Sequence, residues 1–494
     1  MAKKIFTERD VYWGLSDDDK VKQEGQVLYS ENLDLTTSSE FYTISQEPSI
    51  EQVMTDESTI IFEAWNQVFY CDNASNLYRQ WNSTPVLTAE KIVATWITSL
   101  YLYLMDTSED IHRILLSDLN EVNWTAFITQ TDSSIPSESS PPFIVATEDI
   151  TYIWIGKNVY RVLNSTWVVE SANTFTIESN VVGLSMVESR VEIFTENWFY
   201  TIRDWVAWGT IRTKYLGIKI GLVKNIWNRN YIISGGAIYI LNGYTLDQIS
   251  FDTFSDILDS AKYDINSVWP WVLAFQEWLF YLGIKGKVNL ATAGNEFVYW
   301  NDWILAMGQK KALSPNARNI FLTKLPSGRS ISNITSVYTF SQPKNSFGKK
   351  LYFGYEDDLW AFWVASIDLW GTAWWTVWDN WILIYNTFDW GLKEQQKEMV
   401  GIKARIDFGN ENSAVYLCSV ENNILNWIWG TKEASKVTLA DVGSDWCVHF
   451  TFEKFNFFNF TPAFILEQTW SYFRRQSLKF YSPSYEYEDN IRKG

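Results

Sequence analysis

Histidine and cysteine are nearly missing from this chain. Its 494 residues include two histidines, His112 and His449, and three cysteines, Cys71, Cys418 and Cys447. So few imidazoles leave little room for histidine acid–base chemistry. An odd, sparse set of thiols gives no disulfide framework and fits synthesis in a reducing compartment. Cys447 and His449 stand two apart, but no second pair accompanies them, so zinc spacing is lacking. No uncharged apolar run reaches the roughly 18 residues of a membrane span. The stretch "MAKKIFTERDVYWGLSDDDK" has charge but no apolar core of a signal peptide, and reads as a polar arm. Basic residues number 40 against 58 acidic ones, for a formal net charge of −18. That balance argues against nucleic-acid binding, which depends on phosphate neutralisation. It reads instead as a solvated acidic surface.

Catalytic motifs are missing as well. There is no HExxH, P-loop, GxGxxG or GxSxG pattern. Asp357–Asp358 and Asp17–Asp19 are carboxylate pairs of the kind common in solvated turns. A retaining glycosidase needs two carboxyls about 5 Å apart in space, and adjacency in sequence does not supply that. "DDD" at 17–19 lacks the interleaved ligands of a calcium loop. The S-x-D-x-G-x-T-W turns of sialidase-type propellers are also missing. No catalytic, cofactor-binding or metal-ligating residue is assigned, no cofactor is implied, and the expectation is a protein that is not an enzyme.

What the chain does have is strands. Helical periodicity is scarce. An apolar strand, a tight turn and a second strand rich in aromatic and β-branched residues recur. Such hairpins are "IIFEAWNQVFYCD" from Ile60, "YIWIGKNVYRVL" from Tyr152, "EIFTENWFYTIRD" from Glu192, "YIISGGAIYIL" from Tyr231 and "VLAFQEWLFYLG" from Val272. Further ones are "LYLYLMDTSEDIHRIL" from Leu100, "LYFGYEDDLWAFW" from Leu351 and "VWDNWILIYN" from Val377. The spacing is about 40 residues, which marks a β-propeller blade of four strands. A blade cannot bury its two faces alone, so blades must close into a ring.

The expected fold is therefore all-β: a propeller of about seven four-stranded blades, then a C-terminal β-sandwich-like module. Residues 1–55 are expected to form an N-terminal arm and closing strand, 56–395 the propeller, and 396–494 the sandwich-like module. "LKEQQKEM" from Leu392 looks helical and is the best linker. After Ile402, short strands recur at intervals suited to a sandwich.

The chain is unusual in its 28 tryptophans beside 24 glycines. Thirteen tryptophans adjoin an Asn or Asp, as in Asn123–Trp124, Asn197–Trp198, Asp204–Trp205, Asp302–Trp303, Asn380–Trp381, Asp389–Trp390, Asn426–Trp427 and Asp445–Trp446. In "LWGTAWWTVWDNW", residues 369–381, five of them crowd a turn-like stretch. Asn-Gly and Asp-Gly are the favoured hairpin dipeptides, because their residues must take φ > 0. Gly236 stands in its hairpin where Trp198 and Trp278 stand in theirs. One explanation is that many of these tryptophans occupy glycine positions. Some bacteria and their viruses read UGA as glycine, whereas a common alternative code reads it as tryptophan. Two other readings stay open: tryptophans lining a propeller face as sugar platforms, or ordinary core and rim packing.

The segment "YSENLDLTTSSEFYTISQEP", the run of short hairpins and the tail "YFRRQSLKFYSPSYEY" together resemble propeller-bearing virion proteins of tailed bacteriophages. The resemblance implies a structural subunit of a tail, nozzle or connector, assembled in the host cytoplasm and carried in the virion. Its partners would be other virion proteins, in a symmetric homo-oligomer, with the N-terminal arm and C-terminal module docking neighbours. The alternative is a carbohydrate-binding propeller used for host attachment, with a glycan as partner; a propeller glycosidase ranks behind it.

Overall fold

The computed structural model describes residues 49–248, 350–368 and 397–489, each with gaps, and strands within 3–44, 263–339 and 380–385. It is all-β. Six separate sheets form blades, their strands in chain order except where the last takes its fourth strand from near the start of the chain, and a further blade-like run from Leu273–Gln276 to Arg318–Phe321 belongs to a larger sheet shared with the second module. Their first strands are Ser58–Ala64, Ile92–Ile97, Phe143–Ala146, Val181–Val187, Leu222–Ile226, Leu273–Gln276 and Ile331–Thr339. The first strand of blade 1 lies against that of blade 2, blade 2 against 3, 3 against 4 and 4 against 5. The first strand of blade 7 touches those of both blade 6 and blade 1, which closes the ring.

The sequence of the second strands follows from this arrangement. "VFYCD", "LYLM" and "TYIWI" are apolar without alternation. A strand buried on both faces needs no polar side, and these are buried on both. In blade 2, Leu102 and Leu104 pack toward blade 1, on Phe69, Cys71 and Leu77. The alternate residues Tyr103 and Met105 pack toward blade 3, on Ile153 and Ile155. In blade 3, Tyr152 and Trp154 turn the other way, onto Val191 and Ile193 of blade 4. Phe194 and Phe199 of blade 4 meet Val223 and Ile232 of blade 5. Burial of each such side chain contributes roughly 1.5–3 kcal/mol. The core is therefore a set of wedges between sheets.

Blade 7 takes three strands from one end of the ring, Ile331–Thr339, Lys350–Asp357 and Phe362–Asp368. Its fourth is Ser49–Met54, which pairs antiparallel with Phe362–Asp368 in the register Phe362↔Met54 to Ser366↔Ser49. The ring is thus fastened by joining its two ends within one sheet.

Two expectations need correcting. "VWDNWILIYN" does not give a hairpin paired on itself among the described residues: its strand Asn380–Tyr385 finds its partners elsewhere. Asn380–Tyr385 lies between Gln26–Glu31 and Pro462–Gln468, with no return strand of its own among the described residues. Nor are the first residues a free arm. Lys3–Thr7 pairs with Ser484–Asp489, and Phe41–Ile44 with Lys479–Tyr481. A strand's partner hundreds of residues away leaves no local mark in sequence, which is why neither was legible. In "LKEQQKEM", Lys397 to Met399 open the strand Lys397–Asp407, and residues 392–396 lie outside the described residues.

The second module is a sandwich built by both chain ends. One sheet centres on Lys397–Asp407, flanked by Cys447–Phe457 and Ser484–Asp489. The other carries Ser413–Glu421 beside Pro462–Gln468. Phe464 joins their faces, its ring 4.6 Å from Phe480 and 6.3 Å from Phe450. "KFNFFNF" continues the strand Cys447–Phe457, and its residues 458–460 lie outside the described residues.

Candidate functional site

A part-buried polar cluster sits where the ring closes. Glu51 is carried by the closing strand. Its carboxylate accepts hydrogen bonds from Lys350 Nζ at 2.9 Å and Ser366 Oγ at 2.5 Å. Gln80 of blade 1 reaches it at 3.3 Å, and also donates to the Tyr352 hydroxyl at 3.0 Å. Tyr352 in turn packs beside Tyr70, ring to ring at 6.4 Å. Burial by itself would raise the Glu51 pKa. The hydrogen bonds from Ser366 and Lys350, with the charge of Lys350, outweigh it and leave the carboxyl below its ordinary value. Burial pushes the hydroxyls of Tyr70 and Tyr352 far up. These contacts tie the closing strand to blades 7 and 1.

Asp357, expected in a solvated turn, instead ends the strand Lys350–Asp357, paired with Ile331, and is buried. Its Oδ1 accepts the backbone N–H of Leu359 and Ala361, each at 2.9 Å, and its Oδ2 accepts Trp363 Nε1 at 3.0 Å. Asp358 and Asp17–Asp19 lie outside the described residues. His112, also buried, bonds Asp106 at 3.0 Å. Cys71 and Cys418 are buried free thiols whose pKa burial pushes up.

In the sandwich, Asp445 takes Lys403 Nζ at 2.6 Å and His449 Nε2 at 3.0 Å. The Lys403 bond, then the His449 bond, hold the Asp445 carboxyl well below the carboxylate range. Cys447, two residues from His449, does not join them in a metal set. Among the described residues no three His, Cys, Asp or Glu side chains converge as an ion site. On the inner strand of blade 5, burial pushes the half-buried Lys224 ammonium down to about 8.

The tryptophans divide. Four are exposed and left-handed: Trp65, Trp81, Trp360 and Trp446. Of the eight Asn/Asp–Trp pairs expected at φ > 0, only Asp445–Trp446 is found there among the described residues. Trp198, Trp303, Trp381 and Trp427 lie in strands, because neighbouring chains pair with them in register. Trp198 stacks edge-on with Tyr215 at 5.3 Å. Trp124, Trp205, Trp390, Gly236, Trp278 and residues 369–379 lie outside the described residues.

No family model matches the chain, and no curated protein matches it. Solved structures similar to it include the AfRom2 CNH domain, at 10% identity and a TM-score of 0.42, covering 65% of this chain and 99% of that one. YCF48 from Cyanidioschyzon merolae is similar at 11% identity and a TM-score of 0.41, covering 64% and 98%. BamB from Moraxella catarrhalis is similar at 8% and 0.36, covering 65% and 100%.

Proposed function

We propose that the chain is a structural component of a tailed-phage tail or connector, working by docking to other virion proteins and to copies of itself. The observation that carries this reading is the build of the molecule. A closed propeller is joined to a sandwich that takes strands from both chain ends. Chain ends paired into a sheet are tied down and resist fraying, which suits a subunit under mechanical strain. At the ring closure Glu51, Lys350, Ser366, Gln80 and Tyr352 bond one another across the joined strands. Within the sequence segments that resemble phage virion proteins, the described strands Leu33–Asp34, Phe41–Ile44 and Lys479–Tyr481 pair with one another. The same reading places the gene in a phage whose host reads UGA as glycine.

The test is proteomic. Peptides of this chain should be recovered from density-purified virions of the source, in a fixed ratio to the major tail proteins. Their absence from virions sinks the proposal. The carbohydrate-binding alternative draws on the exposed indoles of Trp65, Trp81, Trp360 and Trp446. It requires glycan-array binding that is lost when these are changed to alanine.

A further inference from the structure

Among the described residues, five that are not glycine have positive φ, and four of these are tryptophan. Their surroundings show what each position demands. The hairpin of Ser58–Ala64 and Gln67–Asp72 closes on the pair Ala64↔Gln67. The residue after Ala64 is Trp65, at φ 51°. In blade 3 the hairpin of Ile150–Ile155 and Asn158–Leu163 closes on Ile155↔Asn158. The residue after Ile155 is Gly156, at φ 58°. One backbone position thus carries glycine in one blade and tryptophan in another.

Two further sites share a second geometry. Trp360 N–H donates to the Asp357 carbonyl at 3.1 Å, and Asp357 N–H to the Ala361 carbonyl at 2.9 Å. Trp446 N–H donates to the Gly443 carbonyl at 3.0 Å, and Gly443 N–H to the Cys447 carbonyl at 2.8 Å. This is the three-residue hairpin loop whose last residue is left-handed, the place of a glycine bulge. The two tryptophans sit there at φ 65° and 62°. Trp81, at φ 63°, is third in the turn closed by Asn82 N–H on the Arg79 carbonyl at 3.0 Å. Positive φ at that place alone defines a type II turn, again a glycine position.

A large side chain in this region needs packing to hold it there. These four have none of consequence: they are 56% to 84% exposed. Other tryptophans differ. The indole N–H of Trp96 donates to the Ala146 carbonyl at 2.8 Å, that of Trp154 to the Gly156 carbonyl at 2.5 Å, and that of Trp363 to Asp357 at 3.0 Å. None of those three has positive φ.

We infer that positions 65, 81, 360 and 446 are glycine in the protein made by its source, their codon being UGA read as glycine, whereas 96, 154 and 363 are tryptophan. The inference does not depend on the virion assignment. A chain missing from virions would leave it standing, and glycine at the four sites would leave the virion question to its own test.

Peptide mass spectrometry of the chain from its native source decides it. The expected result is glycine at all four exposed left-handed positions and tryptophan at 96, 154 and 363. Tryptophan at the four, a mixture of the two residues among them, or glycine at any of the three would overturn the assignment. A recombinant chain with tryptophan throughout gives an independent readout. Changing Trp65→Gly, Trp81→Gly, Trp360→Gly and Trp446→Gly together should raise Tm by several degrees, roughly 1–2 °C per site. Trp154→Gly should lower it. An unchanged or lower Tm in the fourfold variant would overturn the conformational argument.

Discussion

Lys350 Nζ lies 2.9 Å from the Glu51 carboxylate, across 299 residues of sequence. The pair joins the closing strand to the second strand of blade 7, while Gln80 ties the same carboxylate to blade 1. A propeller held only by wedge packing could open at any seam. This one places a polar clasp where the two ends of the ring are joined.

Removing the clasp should therefore open that seam first. Glu51→Ala leaves the Lys350 ammonium and the Ser366 hydroxyl without their acceptor. The expected loss is about 2–4 kcal/mol of stability. The pH sign follows from the lowered folded-state pKa. Glu51's contribution is complete above the ordinary carboxyl value and fades as pH falls through the folded one. Urea melts of the wild type and Glu51→Gln should thus differ at pH 7 and converge at strongly acidic pH. A gap that stays constant on acidification would show that the clasp charge contributes nothing.

The same seam sets a size limit at Gly354. A Cβ added there would come within 2.5 Å of Ser336 Oγ and 2.6 Å of Ser58 Cβ. Those two hydroxyls already bond each other at 3.2 Å across blades 7 and 1. Gly354→Ala should cost about 1–3 kcal/mol by overpacking, and Gly354→Val more. The measurement is the denaturation midpoint, with circular dichroism to confirm retained strand content. Wild-type stability in the valine variant would mean the seam is looser than this geometry.

How much of this could be read from residues alone depended on range. Hairpins such as Tyr152 to Leu163 were legible, because strand, turn and return strand are contiguous and apolar runs mark strands buried on both faces. The blade period followed from them. The placement of Asn380–Tyr385 was not legible, since its apolar run suits any buried strand and its partners lie near residues 26 and 462. The tryptophans split on the same principle. Adjacency to Asn or Asp could not separate Trp446, in a reversal, from Trp427, held in a strand by Cys418. Nor could sequence show that Asp357 faces inward to cap its own turn.

That inward carboxylate makes a sharp test of the turn between the second and third strands of blade 7. Asp357 takes two backbone N–H groups and one indole N–H. Asp357→Ala leaves these donors without it and should destabilise by about 2–4 kcal/mol. Asp357→Asn keeps one carbonyl acceptor and should lose less. Urea denaturation midpoints of the alanine and asparagine variants against wild type measure the loss. Equal stability of the alanine and wild-type chains would refute the capping role.

Lys224 supplies the opposite pH dependence. Burial on the inner strand of blade 5 lowers its ammonium from 10.5 to about 8. Below pH 8 the lysine is protonated in both folded and unfolded chains, so folding carries the full cost of desolvating the charge. Between about 8 and 10.5 the folded chain has released the proton while the unfolded chain still holds it. The unfolded state then binds more protons, and stability contributed by this site rises with pH. Lys224→Met removes the effect while keeping most of the aliphatic volume. It should stabilise the protein at pH 7, and its advantage over wild type should shrink steadily between pH 8 and 10.5. Because the tyrosines and other alkaline groups are common to both chains, they cancel in the difference. A difference that stays flat over that interval would mean that water reaches the Lys224 ammonium in the ring.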